Sequence, residues 1–233
     1  MKFLRRIFLV AFIIIAIISA YLFFIGQSLY NEKIRQIGID EKIKKIRNDE
    51  NFTSLSEVPE FYKNAVVSVE DHRFYKHGAV DFIALIRATV SNISQKEFKE
   101  GGSSITQQTA KNLYFMEEDN VVARKSAEII MSYELEKRYS KDEILEIYIN
   151  TIYFGNGYYG IKEACEGYLQ KEPKDMNISE ATMLAGVPNA PSLYNPKENL
   201  NLTQSRQKKV IGTMVENNYI TQKEADNIEI YGE

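Results

Sequence analysis

The sequence is short of the residues that staple a fold or ligate a metal. Its 233 residues include one cysteine, Cys165, and two histidines, His72 and His77. A lone thiol excludes an internal disulfide framework, and so few soft ligands exclude a structural zinc site. Tryptophan is absent, and three of the five prolines fall between Pro188 and Pro196. The formal net charge of -3 leaves no global basic field, which argues against nucleic acid as a partner. Sustained two-residue alternation is rare, and neither an internal repeat nor a low-complexity tract occurs. The fold has to rest on packing, and mostly on helices.

What the chain does have begins with Ile7–Ile25, 19 residues without a charge, preceded by Lys2, Arg5 and Arg6. About 20 apolar residues suffice to cross a bilayer as a helix. A cleaved signal peptide has a shorter apolar core, about 7 to 15 residues, and a small-x-small site that is poorly formed here around Ser19 and Ala20. Retention as an anchor is the expectation. The basic residues before the run place the N-terminus in the cytoplasm and everything after about residue 26 outside.

Ile34, Ile37, Ile43 and Ile46 recur at helical spacing among Lys33, Arg35, Lys42, Lys44, Lys45 and Arg47. That pattern suits a helix lying on anionic headgroups or a solvated stalk, and the sequence does not choose. After Pro59 apolar residues recur at three-and-four spacing in 66–69, 82–93, 123–135 and 144–152, and a helix pair broken near Asn217-Asn218 closes the chain. Gly101-Gly102, Gly155-Asn156-Gly157 and Pro188 to Pro196 mark loops. The expectation is an all-α domain, with 1–28 as cytoplasmic N-terminus and anchor, 29–54 as juxtamembrane stalk and 55–233 as the globular unit. Core burial is expected for Phe82 to Ile93 and for Phe115-Met116, with immersion in lipid the alternative.

Segments of the chain offer chemistry. Val66 to Gly78 reads VVSVEDHRFYKHG, an apolar helix running into Glu70-Asp71, where burial and mutual repulsion raise a carboxylate toward the range of a general base. An acidic pair at a helix end is also an ordinary solvated surface. Glu100 to Gln108 reads EGGSSITQQ, in which glycines allow close approach and hydroxyls and amides donate to sugars or phosphates. It lacks the spacing and lysine of a Walker loop. Arg124, Lys125 and Glu128 share a helix face, as a surface ion pair or as a cationic clamp for a leaving diphosphate. Lys141 to Asn150 reads KDEILEIYIN, with a buried stripe of Ile144, Leu145, Tyr148 and Ile149, and with Glu146 and Asn150 on an edge able to orient a loop.

These segments, in this order, resemble glycosyltransferase family 51, the transglycosylase modules of penicillin-binding proteins and the monofunctional peptidoglycan glycosyltransferases. The specific parts are Glu70-Asp71-x-x-Phe74-x-x-His77, Gly101 to Gln108, Arg124-Lys125-x-x-Glu128 and Lys141-x-x-Ile144-Leu145-Glu146-x-Tyr148-x-Asn150. The likeness runs from about Leu55 to the C-terminus and includes Leu184 to Pro196 and the helix of Arg206. The chain departs from the family in having Ser104 for threonine, Ala79 at the place of a glycine that here comes one residue early as Gly78, and Glu117, Glu118 and Asp119 where some relatives carry an additional arginine.

The resemblance implies a lysozyme-like bilobal fold and transfer of a lipid-diphosphate-linked glycan to lipid II with inversion and release of undecaprenyl diphosphate. Glu70 matches the base that takes the acceptor 4-hydroxyl proton, and Glu128 a further catalytic carboxylate. Asp71, Phe74, His77, Gly102, Ser103, Ser104, Thr106, Gln107, Gln108, Lys111, Arg124 and Lys125 match the substrate-binding set. No cofactor is implied and no residue is assigned to metal, since no Asp-x-Asp occurs. A weakly bound magnesium or manganese ion at the diphosphate is the most that is expected. The partners implied are lipid II, the growing chain, the cytoplasmic membrane and other cell-wall synthesis proteins. A lytic transglycosylase or lysozyme-like enzyme is the alternative, disfavoured by Lys111, Arg124 and Lys125, which a neutral glycan does not need. A catalytically silent scaffold is disfavoured by intact Glu70 and Glu128. Ser205-x-x-Lys208 formally matches an acyl-serine tetrad, but without Lys-Thr-Gly or room for a further domain it reads as a surface helix.

Overall fold

The computed structural model describes residues 2–87 and 102–233. The uncharged run, with no proline to interrupt it, lies inside one continuous helix, α1 (Lys2–Gln36). Phe3, Phe8, Phe12 and Phe24 are exposed along it, and it is the helix long and apolar enough to cross a membrane among the described residues. Its last turns pack on the domain through buried Leu29. α2 (Ile39–Arg47), with acids in its first turn and bases in its last as the helix dipole favours, follows and buries Ile39 and Ile43. Residues of the stretch expected as a stalk thus belong to the core, because its isoleucines share one face and that face meets the domain.

The rest is helical, with no strand among the described residues and one isolated bridge between Tyr153 and Tyr159. α3 (Glu60–Glu70) starts after Pro59 and buries Tyr62, Ala65, Val66 and Val67. Residues 82–87 form α4, started by Asp81, whose Oδ1 accepts the N–H of Ile83 and Ala84 at 2.9 and 3.0 Å. α5 (Ile105–Ala110) widens into a π turn over Lys111–Phe115. α6 (Val121–Arg138) and α7 (Lys141–Thr151) follow, α7 opened by a Ser140/Glu143 capping box. α8 (Gly160–Leu169), α9 (Ile178–Gly186), α10 (Leu200–Glu216) and α11 (Gln222–Ala225) complete the chain. α10 ends at Asn217, beside Asn218 at φ +60°, where the sequence suggests a break.

The core lies where α3, α5, α6, α7, α9 and α10 meet, around Phe74, Phe115, Met131, Leu135, Ile144 and Leu184. Phe82, Ile83, Leu85, Ile86 and Met116 are exposed, contrary to the expected core burial, whereas Phe115 is buried as expected. Residues 88–93 of that stretch, and Glu100 and Gly101, lie outside the described residues.

Candidate active site

α3 carries its last residue, Glu70, to the wall of a cleft of about 1020 Å³ lined by Glu70, Gln108, Lys111, Lys125, Tyr153 and Arg206 among others. The helix stops there because Asp71 turns to extended backbone, φ -160°. Gln108 Nε2 donates to Glu70 Oε2 at 2.9 Å, and Arg206 Nη2 stands 3.7 Å from Oε1. Oε1 is buried and has no hydrogen-bond partner among the described residues. Burial raises the Glu70 pKa above the usual carboxylate value, opposed by the Gln108 hydrogen bond and the Arg206 charge and assisted by Asp71. Such a group is a base with an open lone pair, restrained by one amide and one guanidinium.

The hydroxyl and amide cluster divides in two. Ser104 is the N-cap of α5: its Oγ accepts the Gln107 N–H and donates to the Ala79 carbonyl at 2.7 Å, while Gln107 Oε1 accepts the Ser104 N–H at 2.9 Å. Thr106 donates to Glu136 at 2.5 Å. These side chains, read from sequence as donors to sugar, are turned into the protein, because a helix start needs caps before it can offer ligands. Ser103 and Gln108 line the cleft. Gly102 opens the described part of that loop. Phe74, also assigned to substrate, is fully buried in the core with Lys141 Nζ 4.4 Å from its ring centroid.

Asp71 holds this arrangement together. Its Oδ2 accepts the Ile105 N–H at 3.0 Å and its Oδ1 meets His77 Nε2 at 2.8 Å. His77 Nδ1 faces the Gly78 carbonyl at 2.5 Å, so both ring nitrogens look at acceptors. Burial lowers the His77 pKa, but the Asp71 hydrogen bond and charge outweigh it and the net shift is upward. His77 therefore works as a brace and is not on the cleft wall. Asp71, His77 and Asp81 bring ligand atoms within 4.8 Å of one another. Asp81 Oδ1 caps α4, while its Oδ2 stands 3.1 Å from Arg73 Nε as an ion pair without a hydrogen bond among the described residues, so the set is an ion-pair network.

α6 supplies the cations. Lys125 Nζ reaches Glu128 Oε2 at 2.6 Å and Ser103 Oγ at 3.1 Å, and it lines the cleft. Glu128 is fully buried behind it, with Arg124 Nε 3.5 Å from its other oxygen. Arg124 also donates to the Glu118 carbonyl at 3.1 Å. Lys111, from the π turn, lines the cleft beside them, its pKa lowered by burial and by repulsion from Arg124 and Lys125 against attraction to Glu128. Glu128 thus orients and neutralises cations from behind, and the exposed edge of the cluster is positive.

The sequence reading did not place Arg206, Asn112 or Lys209 on the cleft. Arg206 sits on the buried stripe of α10 with Thr203, Gln207, Val210 and Met214. An arginine in phase with such a stripe is the signal that could have found it. Asn112 Nδ2 is buried at the cleft and has no hydrogen-bond partner among the described residues. The Gly155-Asn156-Gly157 turn, with φ of +86°, +53° and +81°, reverses the chain and sets Tyr153 on the same wall. Glu146 and Asn150 do orient a loop: Glu146 accepts the Leu55 N–H at 3.0 Å, and Asn150 accepts the backbone N–H of Thr53 and donates to its carbonyl, both at 2.8 Å.

A family model described as Transglycosylase matches residues 39–215. Penicillin-binding protein 4 of Bacillus subtilis (strain 168) is 41% identical over 170 residues, covering 73% of this chain and 27% of that protein. Penicillin-binding protein 1A of Neisseria gonorrhoeae is 42% identical over 175 residues, 75% of this chain and 22% of that protein. Penicillin-binding protein 1F of Bacillus subtilis (strain 168) is 37% identical over 230 residues, 91% of this chain and 32% of that protein. The chain spans less than a third of the length of these relatives.

Proposed function

The chain belongs to the transglycosylase family, and on that premise we propose that it is a peptidoglycan glycosyltransferase, polymerising lipid II into β-1,4 glycan strands at the outer face of a bacterial cytoplasmic membrane. The observation that carries the reading is Glu70 Oε1, an unpartnered buried acceptor on a cleft whose wall also bears Lys111 and Lys125. A base and a cationic edge in one cleft suit a displacement in which a hydroxyl attacks and a diphosphate leaves.

In this proposal Glu70 takes the proton of the acceptor 4-hydroxyl, and the freed oxygen attacks the anomeric carbon of the growing chain from the face opposite the diphosphate. The bond to diphosphate breaks, its electron pair leaves with the phosphate oxygen, and Lys111 and Lys125 stabilise that charge. Asn112 and Ser103 add donors. Arg124 and Glu128 hold Lys125 in place, which makes Glu128 a positioning residue. The cluster of metal-ligand type found among the described residues is the Asp71 network, so a divalent ion at the diphosphate would be held mainly by phosphate oxygens. α1 would cross the membrane once with the N-terminus inside, and the exposed apolar residues of α4 with Met116 would meet the lipid from which the substrate comes.

The test is to incubate the detergent-solubilised chain with labelled lipid II, beside Glu70→Gln and a digestion of purified sacculi. The expected result is a polymer ladder that falls by at least about 100-fold in the variant, with sacculi intact. Release of muropeptides without polymer would replace the proposal with a lytic enzyme.

A further inference from the structure

We propose that Gly26 is a positioning residue for the cationic edge of the cleft: it seats the membrane helix directly on the α6 backbone, so that the anchor sets where Lys125 and Arg124 stand. The proposal rests on reading those side chains, with Lys111, as the diphosphate cradle.

Gly26 lies in the interior of a 35-residue helix, immediately after the uncharged run ends at Ile25. Glycine there costs about 1 kcal/mol relative to alanine, so its presence wants a local reason. The reason is contact. A Cβ at position 26 would lie 2.6 Å from Ser126 Cβ, 2.7 Å from the Ser126 carbonyl carbon and 3.0 Å from the Ala127 nitrogen. Two of those three atoms are backbone, so no rotamer change makes room, and any larger residue must push α1 and α6 apart.

The touched turn is the one that presents the cations. Ser126 and Ala127 fall between Lys125 and Glu128, whose ion pair is 2.6 Å long and whose lysine also meets Ser103 at 3.1 Å. A shift of a few tenths of an ångström in this turn passes straight to Lys125. Further along, Leu29 is buried, Tyr114 donates to the Ile37 carbonyl at 3.2 Å, and Asp40 accepts from Tyr139 at 2.6 Å and Arg138 at 3.2 Å. Leu29 holds α1 itself, and the contacts of Ile37 and Asp40 tie down the chain just past its end, so a twist of the anchor that relieved the Gly26 contact would have to disturb them. The geometry also matches the substrate: a diphosphate on a lipid tail lies at the bilayer surface, and Gly26 is the first residue past the apolar run.

The experiment uses the full chain in detergent micelles and measures the Kd of inorganic diphosphate by calorimetry for wild type, Gly26→Ala, Gly26→Val and Gly38→Ala. Lipid II polymerisation and thermal unfolding are followed alongside. Gly38 is the control, because nothing stands within 4 Å of a Cβ added there. The expected result is a Kd raised about tenfold in Gly26→Ala, more in Gly26→Val, and unchanged in the control. Reversible unfolding would raise the apparent Kd tenfold only if about nine-tenths of the variant were unfolded, which the thermal unfolding curve at the assay temperature detects, and Gly26→Ala remains readable if the valine variant fails to fold. A Gly26→Ala Kd equal to wild type overturns the proposal, and so does a wild type that does not bind diphosphate. Wild-type binding with the Gly26 effect but no polymer would support the proposal while removing the polymerase reading.

Discussion

Replacing Arg206 with methionine removes the only full charge within reach of Glu70 Oε1 among the described ion pairs, at 3.7 Å, with both side chains under a tenth exposed. At that distance and an effective dielectric near 20, the attraction is about 4 kcal/mol. Not all of it is lost, because Glu70 can take up a proton instead of remaining a bare buried carboxylate. The sign follows from that escape. Burial already puts the folded Glu70 pKa above its ordinary value, so this group's contribution to stability is full below the unfolded pKa and is lost as pH rises through the folded one. Without Arg206 the folded pKa moves higher and the loss extends to higher pH, at no more than about 1.4 kcal/mol per pH unit. The stability deficit of Arg206→Met, measured by chemical unfolding in micelles, should therefore grow by about 2 to 3 kcal/mol between pH 5 and pH 8. A constant offset of about 1 kcal/mol comes from the lost hydrogen bond to the Gly186 carbonyl. The acid limb of kcat/KM should move to higher pH, since the base must be ionised. A deficit that does not change with pH, together with superimposable rate profiles, would refute the coupling of Arg206 to Glu70.

His77→Asn should show the opposite trend with pH, because here the substitution removes the titrating group itself. Its raised pKa means that the charged brace stabilises fully below the unfolded value of 6.5 and fades as pH rises through the folded value. The variant should lose about 2 kcal/mol near pH 5.5 and progressively less on the alkaline side, and unfolding curves of equal spacing at both ends would contradict this. Ser104→Ala should cost about 1 to 2 kcal/mol of stability through the capping box with the KM for lipid-linked substrate unchanged. A raised KM at full stability would return Ser104 to the ligand set.

Much of this architecture is legible from periodicity. The spacing of Ala123 to Leu135 and of Ile144 to Ile152 gives α6 and α7 nearly to their ends, because a helix with one buried face writes that face into the sequence. Glu70 at the close of an apolar helix is equally readable. The division of labour inside a motif is not. Ser104, Thr106 and Gln107 stand in the same short segment as Ser103 and Gln108, as Phe74 stands in that of Glu70, and a side chain that caps a helix is chemically identical to one that meets a sugar. Only the direction of each bond separates them. Ile39 and Ile43 show the same limit, since an amphipathic period identifies a face without saying whether lipid, water or another helix covers it. Phe82 and Ile86 carry a core-like pattern and yet are exposed. Arg206 is distant in sequence from Glu70, and only the packing of α10 on α3 makes them neighbours.

The unbroken course of α1 has a mechanical consequence. A 35-residue helix is about 52 Å long, and its C-terminal turns are bolted to α6. With no hinge between the two, tilt of the helix in a bilayer is also tilt of the whole domain. A lean of 10 degrees would swing the far end of such a lever by roughly 9 Å. With α1 as the proposed span, bilayer thickness, which governs that lean through hydrophobic mismatch, would be converted into the attitude of the cleft over the lipid surface.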